Sequence, residues 1–403
     1  MEKPELLVGV ANFSCAIAAV KNGADAVYFG VKGFNMRDLG TNFKTSELKK
    51  LMSYLRENKV KGYLALNTVV FEEEMKEMEK VLVQAKKAKV DAVICSDLGV
   101  LSIVKKLKLE PHISTQASIG NSIALQQYKD LGAERIVLAR ELSLDQINKI
   151  TKNAKNLGIE VEIFVHGAMC IAVSGRCFMS HELFGKSANK GECLQVCRRA
   201  YFFDGHKGSE KKELEIRGDT ILSPKDMKTI EFLDKIIASG VSSLKIEGRT
   251  KPSDYVVAVT KCYREAIDSV FDKTFSKKKI IVWDKELSKV FNRGFSTGFF
   301  LRKPDKNDLT DKQGSKQTQR KVMVGTVKKY YAKAGVAEVK LIENISISDK
   351  IVFEGATTFL EQDLTSMQIN HTELKRAKKS QKVGIKVSER VRENDKVFVL
   401  EKK

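Results

Sequence analysis

Residues 162–201 read EIFVHGAMCIAVSGRCFMSHELFGKSANKGECLQVCRRAY. This stretch starts at the end of an apolar run and contains four of the seven cysteines, at Cys170, Cys177, Cys193 and Cys197. Glycines at 167, 175 and 191 interrupt any helix that would spread the thiols around a cylinder. The chain therefore turns repeatedly, and four thiolates can converge on one point.

The spacing of these cysteines leaves two metal sites open. Structural zinc usually takes cysteine pairs two to four residues apart, and only the second pair here is that close. An iron–sulfur cluster also takes four thiolates and tolerates wider spacing. Disulfides are disfavoured because the chain opens Met-Glu-Lys-Pro-Glu, without an apolar signal segment. Three further cysteines lie in apolar or helical surroundings and are expected to be packed thiols: Cys15, Cys95 and Cys262.

The composition is that of a globular protein with a polyanionic partner. A chain of 403 residues with 42% hydrophobic and 30% charged residues can bury a large core and predicts two domains. No apolar run reaches the roughly 18 residues of a membrane span, so we expect no membrane association and a cytoplasmic location. The net charge of +20 favours a nucleic acid as partner, although a lysine-rich proteome would produce the same excess.

Outward from the cysteines, short apolar runs alternate with amphipathic segments. Helical patterns such as 46–58 and 72–89 separate the runs, and Ser143-x-x-Gln146 and Ser223-Pro224-x-Asp226 both predict helix N-termini. Eight buried parallel strands separated by helices predict an α/β fold, a (β/α)₈ TIM-like barrel with a cysteine-rich insertion. The predicted strands are Glu5–Gly9, Ala26–Gly30, Gly62–Leu66, Ala92–Cys95, His112–Thr115, Arg135–Ala139, Glu160–Val165 and Ser243–Glu247.

Chemistry in such a barrel lies at the carboxyl ends of the strands. Arginines there, with an amide or two, suit a small anionic molecule, because guanidinium groups pair bidentately with carboxylates. Salt bridges from these arginines to Glu141 and Glu247 are the alternative. The polar residues that follow the predicted strands include Arg37, Asn67, Gln116, Arg140, Glu141, His166, Glu247 and Arg249.

The C-terminal part of the chain has a different period. Residues 305–320 are polar and charged and predict a linker, so we assign residues 1–304 to the barrel with the cysteine segment 162–201. From Val322 onward, short alternating apolar patterns predict a small all-β barrel over 321–403. Residues 320–403 contain 18 Lys/Arg and 11 Asp/Glu, so this domain could hold RNA.

Three motifs around the cysteines resemble peptidase family U32: Phe164-x-His166-Gly167-Ala168-Met169-Cys170, Ser174-Gly175-Arg176-Cys177 and Gly191-x-Cys193-x-x-x-Cys197-Arg198. That family was named for collagenase-like proteases, and its TrhP-type members are prephenate-dependent tRNA uridine hydroxylases. The resemblance implies a TIM-like barrel, a small C-terminal β-barrel, and one [4Fe–4S] cluster on Cys170, Cys177, Cys193 and Cys197. The family commonly has Ala-Pro-Ala-Gly after the first strand, where this chain has Val8-Gly9-Val10-Ala11-Asn12.

The resemblance implies an iron–sulfur enzyme that hydroxylates the wobble uridine of tRNA to 5-hydroxyuridine, with prephenate as anionic co-substrate. Ribosomal RNA is an alternative substrate, and a non-catalytic RNA-binding protein and the peptidase of the family name are alternative functions. A peptidase would need a histidine partner for its nucleophile, and His166 is the sole plausible one. We expect catalytic groups at His166, Arg140 and Arg249. Co-substrate contacts are expected from Arg37, Asn67, Gln116, Arg140, Arg176 and Arg249.

Overall fold

The computed structural model describes residues 2–201, 220 and 222–403. The polar segment 202–219, which lies within the predicted barrel domain, is outside the described residues. The strands of the first part are β1 (Glu5–Gly9), β2 (Ala26–Gly30), β3 (Lys61–Leu66), β4 (Ala92–Cys95), β5 (Glu110–Ile113), β6 (Arg135–Val137), β7 (Glu160–Gly167), β8 (Asp226–Lys228), β9 (Ser243–Ile246) and β10 (Phe295–Ser296).

Eight of these strands form a closed parallel barrel. Neighbours from β1 to β7 pair in sequence order, and β9 pairs in parallel with both β7 and β1. All eight are the predicted strands, so the predicted (β/α)₈ barrel is confirmed. The helices are α1 (Phe13–Lys21), α2 (Leu48–Glu57), α3 (Met75–Ala88), α4 (Leu98–Lys106), α5 (Ser122–Asp130), α6 (Leu144–Leu157), α7 (Met179–Phe184), α8 (Leu233–Ala238), α9 (Ser253–Phe271) and α10 (Lys277–Lys289).

The two predicted helix starts have different outcomes. Ser143 caps α6 as predicted, because its side chain accepts from the Gln146 amide while Gln146 reaches back to the Ser143 amide. The prediction at 223–226 is wrong. Residues from Asp226 form β8, which pairs antiparallel with the end of β7 and parallel with β10. This hydrogen bonding to neighbouring strands overrides the local helix signal.

The amino-terminal end of the barrel interior is filled by charged side chains. Glu162 is fully buried and accepts from Lys245 Nζ at 2.8 Å and from Arg135 at 3.2 Å. Arg135 also pairs with Glu5 at 2.5 Å. Because each buried charge has an opposite partner, this layer closes the barrel floor without an uncompensated ion. Since this layer fills the amino-terminal end, the barrel interior is accessible from the carboxyl ends of the strands.

The C-terminal part is all-β, as predicted. Its strands are β11 (Gln319–Tyr331), β12 (Val336–Leu341), β13 (Ile345–Ser346), β14 (Lys350–Gly355), β15 (Thr358–Asp363), β16 (Met367–Ile369), β17 (Thr372–Glu373), β18 (Arg376–Ala377), β19 (Lys382–Lys386) and β20 (Lys396–Lys402). Eight of them form an antiparallel sheet in the order β15-β14-β20-β11-β12-β19-β16-β17, and β13 and β18 pair separately.

This sheet has its own core but also packs on the barrel. Val352 and Phe359 are buried in the same apolar cluster as the barrel helices. Lys21 Nζ at the end of α1 donates to the Phe359 carbonyl at 3.1 Å. Lys321 Nζ lies 2.5 Å from Glu354 and 3.7 Å from Asp254 at the start of α9. The two parts of the chain therefore share an interface of apolar contacts and ion pairs.

A helix that crosses a bilayer needs about 20 predominantly apolar residues in succession. Among the residues described, none of the helices combines the length and the apolar character needed to span a membrane.

Replacing Glu162 with Gln should destabilise the fold by about 3–5 kcal/mol at pH 7, because it leaves Lys245 and Arg135 buried without their shared carboxylate. Burial alone raises the pKa of Glu162, but Lys245 and Arg135 outweigh it and hold the pKa below its usual range. A carboxyl whose pKa is depressed on folding stabilises the fold above its unfolded pKa, about 4.3. This contribution is lost as the pH falls through the folded pKa, so the difference from the wild type should shrink in acid.

Denaturant unfolding followed by circular dichroism over a pH series measures this difference. Glu134→Gln is the matched control, because Glu134 is half-exposed and pairs with Lys129 at the surface at 3.3 Å. It should change the unfolding free energy by less than about 1 kcal/mol at any pH. Equal effects of the two substitutions would contradict a stabilising role for the buried layer.

Candidate functional site

A cavity of about 540 Å³ opens at the carboxyl ends of the barrel strands. Its floor is formed by inward-facing strand residues such as Tyr28 and Lys245, and its rim by the loops that follow the strands. The cavity brings together most of the residues that the sequence singled out. These are Arg37, Asn67, Gln116, Arg140, Glu141, Cys170, Cys177, Cys193, Cys197, Glu247 and Arg249.

Two arginines share one buried carboxylate in this cavity. Glu247 follows β9, and its Oε2 lies 3.1 Å from Arg37 Nη2 and 3.7 Å from Arg140 Nη2. Arg140 Nη1 also donates to the Ala168 carbonyl at 2.7 Å, and its guanidinium lies 3.7 Å from the centre of the Phe164 ring. Burial alone raises the pKa of Glu247, yet the arginines outweigh it and hold the pKa below its usual range. Glu247 is therefore an anion at neutral pH.

Arg249 is held differently, by amides. Its Nη2 donates to Asn35 Oδ1 at 2.8 Å and to Asn42 Oδ1 at 2.6 Å. The side chain is almost fully buried, and burial lowers its pKa to about 10. At neutral pH it remains charged, because that value still lies well above 7. Among the described residues, no side-chain carboxylate forms an ion pair with Arg249 of the kind that Arg37 forms.

Asn67 and Gln116 lie next to each other in the cavity. Asn67 Nδ2 donates to Gln116 Oε1 at 3.0 Å and to Ser114 Oγ at 3.1 Å. Asn67 Oδ1 accepts from the Met36 amide at 3.2 Å, which connects the loops after β2 and β3. The two predicted amides therefore act together, as one hydrogen-bonded group.

Four buried polar atoms in the cavity have no hydrogen-bond partner among the described residues: Tyr28 OH, Glu141 Oε2, Ser174 Oγ and Arg249 Nε. Buried polar groups in folded proteins are nearly always hydrogen-bonded, and an unpaired one costs about 1–3 kcal/mol. Both donors and acceptors are unpaired here, so a polar ligand in the cavity could satisfy several of them at once.

His166 lies outside the cavity, so its predicted place among the catalytic groups is not supported by the geometry. A bulge in β7 between Phe164 and His166 pairs Phe164 with Lys245 but His166 with Ile246. The extra residue turns His166 to the outer face of the strand. Its ring is buried there, with Nδ1 at 3.3 Å from Tyr263 OH, and burial lowers its pKa to about 3. A neutral, packed histidine is the result.

Arg176 also differs from its expected position. Its side chain is exposed, donates to Ser118 Oγ at 3.1 Å, and is not among the residues that line the cavity. Of the predicted arginines, the structure therefore brings Arg37, Arg140 and Arg249 together. Two residues before Arg176, Ser174 has a left-handed φ of 46°.

The cysteine segment folds over the cavity through a series of left-handed turns. Gly175 and Gly191 have φ of +82° and +85°, and Gln195 has φ of 53°. Gly191 packs so closely on the loop after β2 that a Cβ there would overlap the Asn35 carbonyl oxygen. Arg198 fastens the end of the segment, since its guanidinium donates to the carbonyls of Pro224, at 3.0 Å, and Met169.

All four thiols of the segment line the cavity. Cys170 and Cys193 are exposed and the other two are half-buried. Burial raises the pKa of Cys197, Arg198 opposes this, and the other three thiols lie close enough to add to the rise. Among the described residues, no three His, Cys, Asp or Glu side chains are arranged to hold a metal ion as they stand. Cys15, Cys95 and Cys262 are buried elsewhere.

Tyr28 and Lys245 belong to the cavity but do not follow a strand, so strand ends alone did not predict them. Both side chains lie within strands and point into the barrel, where Lys245 Nζ is 4.2 Å from the centre of the Tyr28 ring. The period of two in Ala26-x-Tyr28-x-Gly30 was the available signal, because alternate residues of a barrel strand face inward.

Gly191→Ala should loosen the cysteine segment, because the new methyl group overlaps the Asn35 carbonyl. Gly185→Ala is a matched control: Gly185 also has positive φ, +64°, but a methyl group added there would have no other atom within 4 Å. Both changes incur the left-handed cost of about 1–2 kcal/mol. Only Gly191→Ala should accelerate tryptic cleavage at Lys186, Lys190 and Arg199. Equal cleavage rates in the two variants would contradict the close approach.

Comparison with known proteins identifies the family of this chain. The profile of Peptidase family U32 matches residues 11–310. An uncharacterized protease of Methanocaldococcus jannaschii is 43% identical over 401 residues, covering 98% of each chain. A collagenase of Porphyromonas gingivalis is 38% identical over 99% of this chain and 98% of its own length. The tRNA hydroxylation protein P1 of Bacillus subtilis is 35% identical over 79% of this chain and 75% of its own length. The chain therefore belongs to peptidase family U32.

Proposed function

We propose that this chain is an iron–sulfur enzyme that hydroxylates RNA, with the tRNA wobble uridine as substrate, 5-hydroxyuridine as product and prephenate as co-substrate. The observation that carries the proposal is that four thiols line one cavity together with Arg37, Arg140 and Arg249. A relative 35% identical to this chain is named a tRNA hydroxylation protein, and it is matched over most of its length. A tRNA substrate would place the enzyme in the cytoplasm.

Four cysteine thiols are the ligand set that a [4Fe–4S] cluster takes, and we propose Cys170, Cys177, Cys193 and Cys197 as its ligands. They line a single cavity, and left-handed turns at Gly175 and Gly191 lie on the loops between them. When bound, such a cluster would supply a redox-active or Lewis-acidic metal centre at the cavity. The chain's own contribution is to hold the segment in place, through Arg198 at its end and Gly191 against the β2 loop.

The charge of the cavity favours an anionic co-substrate. Apart from the cysteines, five cationic side chains line it against two carboxylates, Glu141 and Glu247. Prephenate carries two carboxylates, and guanidinium groups bind such groups through paired hydrogen bonds. Arg249, whose Nε has no partner in the part of the chain that the structure describes, and Arg140 at the rim are the best placed to do so. Tyr28 OH and the Asn67–Gln116 pair could then orient the bound molecule.

Positive charge outside the cavity supports a polyanionic substrate. The whole chain carries +20, and residues 320–403 contribute 18 Lys/Arg against 11 Asp/Glu. Such a surface attracts nucleic acid and concentrates it around the protein. The C-terminal sheet packs against α1 and α9 of the barrel, so a long RNA could contact both parts at once.

Proteolysis is the second candidate, because a relative that covers 99% of this chain is named a collagenase. The geometry favours it less. A cysteine or serine nucleophile needs a histidine within hydrogen-bonding reach. His166, which was the plausible partner, instead contacts Tyr263 on the outside of the barrel. Incubation of the purified protein with gelatin, followed by measurement of gelatin cleavage, tests this candidate directly.

Anaerobically purified protein should be brown and contain about four irons per chain. Cys193→Ser should lower the iron content and the visible absorption, because the variant lacks one of four ligands. Cys262→Ala is the matched control, since Cys262 is buried in α9, and it should keep the full iron content. Iron analysis and absorption spectra provide the measurement. Colourless wild-type protein with one zinc would contradict the cluster.

Arg140→Ala and Arg249→Ala should each weaken prephenate binding about ten- to a hundredfold, because each removes charged hydrogen bonds worth about 1.5–3 kcal/mol. Arg176→Ala should leave the affinity unchanged, because Arg176 lies outside the cavity lining. Calorimetric titration of the iron-loaded proteins measures the affinity. Mass spectrometry of nucleosides after reaction with unmodified tRNA measures hydroxylation, which the first two variants should lose.

The alternative outcomes are distinct. Reduced iron content or thermal stability in Arg140→Ala and Arg249→Ala, with unchanged prephenate affinity, would assign these arginines a structural role. Hydroxylation of a nucleoside in ribosomal RNA but not in tRNA would mean that the reaction is the proposed one and that its substrate is ribosomal RNA. Failure of the wild type to form any hydroxylated nucleoside would contradict the proposed function.

A further inference from the structure

The cysteine segment exposes a concentration of apolar side chains. Of the 17 exposed large hydrophobic side chains in the described part of the chain, five lie between residues 170 and 184. Single exposed apolar residues are normal, but a contiguous group marks a surface that binds something. The five are Ile171, Val173, Phe178, Leu183 and Phe184, and Phe178 is 69% exposed.

The loop after β3 extends this apolar surface. Val69 and Phe71 are exposed on that loop, and Lys190 of the cysteine segment binds it through the Val69 carbonyl at 2.9 Å. The Val69 amide in turn donates to the Asn189 carbonyl at 3.2 Å. These contacts place Phe71 beside the cysteine segment. We call Phe71, Phe178 and Phe184 the aromatic rim.

Cations accompany two of the three rings. Lys190 Nζ lies 4.7 Å from the centre of the Phe71 ring, and the Arg199 guanidinium lies 4.8 Å from that of Phe184. The segment 170–201 as a whole contains five Lys/Arg and two Glu. A purely apolar protein partner gains nothing from this excess of positive charge. Aromatic side chains interleaved with cations are instead typical of surfaces that bind single-stranded nucleic acid.

The aromatic rim adjoins the opening of the cavity. Ile171 and Val173 are exposed and also line the cavity, so the apolar surface continues into its mouth. Phe178 stands between Cys177 and Met179, both of which line the cavity. A molecule lying on the rim could therefore direct one of its groups inward toward the thiols and the arginines.

We propose that the aromatic rim is a stacking platform for unpaired RNA bases, which holds a single-stranded loop at the cavity mouth so that one base can enter. This inference rests on the proposed function, because it assigns the RNA contacts of the same site. An enzyme cannot reach the C5 atom of a base buried in a duplex, so the target must be unpaired or extruded. Stacking suits such a substrate, because each unpaired base has an aromatic face whatever its identity.

The test is fluorescence anisotropy of the full-length, iron-loaded protein with two labelled RNAs: a hairpin with an unpaired loop, and a fully paired duplex of equal length. The wild type should prefer the hairpin. Phe71→Ala and Phe184→Ala should each weaken hairpin binding about 5- to 150-fold, the range found when an aromatic that stacks on a base is removed. Duplex binding should not change, because it uses phosphate contacts alone.

Salt dependence separates stacking from charge. The Phe variants should keep the wild-type slope of log affinity against log salt, because they remove no phosphate contact. Phe184→Trp should bind the hairpin as the wild type does, since it keeps an aromatic face. Ile281→Ala is the matched control: Ile281 is 68% exposed on α10, outside the rim, and its loss should not affect hairpin binding. Iron content and visible absorption should match the wild type in every variant.

Two results would overturn the platform: wild-type hairpin affinity in both Phe71→Ala and Phe184→Ala, or a wild type that binds the duplex as tightly as the hairpin. Equal binding of duplex and hairpin would instead indicate that the exposed rim binds a protein partner. Failure of the proposed function is recognised separately. Wild-type protein that shows the hairpin preference and its loss in the Phe variants, yet forms no hydroxylated nucleoside, would contradict the proposed reaction while supporting the platform.

Discussion

Closure of the barrel by β9 is the constraint on which the rest of the structure depends. This strand pairs with β1 on one side and β7 on the other, so its inward-facing side chains stand on the barrel axis. At the floor Ser243 contacts Glu5 at 3.3 Å, in the middle Lys245 binds Glu162, and at the rim Glu247 binds Arg37. One short strand thus contributes side chains both to the buried ionic layer, which stabilises the fold, and to the cavity at the carboxyl ends of the strands.

Electrostatics in the cavity are balanced only in part by the protein itself. Glu247 serves two guanidinium groups, whereas Arg249 is held by the neutral amides of Asn35 and Asn42. Because neutral amides hold this buried cation, its charge remains available to a ligand. Burial lowers the pKa of Arg249, since the charged form is removed from water. A second anion in the cavity would compete with Glu247 for Arg37 and Arg140 and would meet Arg249 without a competing carboxylate.

Much of this arrangement could be predicted from residue patterns, and the errors have identifiable causes. Short apolar runs identified all eight barrel strands, because strands buried on both faces leave a continuous hydrophobic signal. The position of Arg37, Asn67 and Arg140 in the cavity followed from strand ends alone. His166 was misplaced because one bulge reverses the direction of every side chain after it, and no local pattern marks it. Arg176 was expected in the cavity because it stands between two cysteines that line it, but its side chain binds Ser118 outside the lining.

The interface between the barrel and the C-terminal sheet has a consequence for how this chain can change over generations. Phe359 and Val352 belong to the apolar cluster of the barrel helices, and Lys321 reaches both Glu354 and Asp254. The sheet therefore cannot be exchanged for another module without exposing part of the α1 and α9 surface. Substitutions on those two helices should be inherited together with compensating substitutions on β14 and β15, so the two parts evolve as one unit.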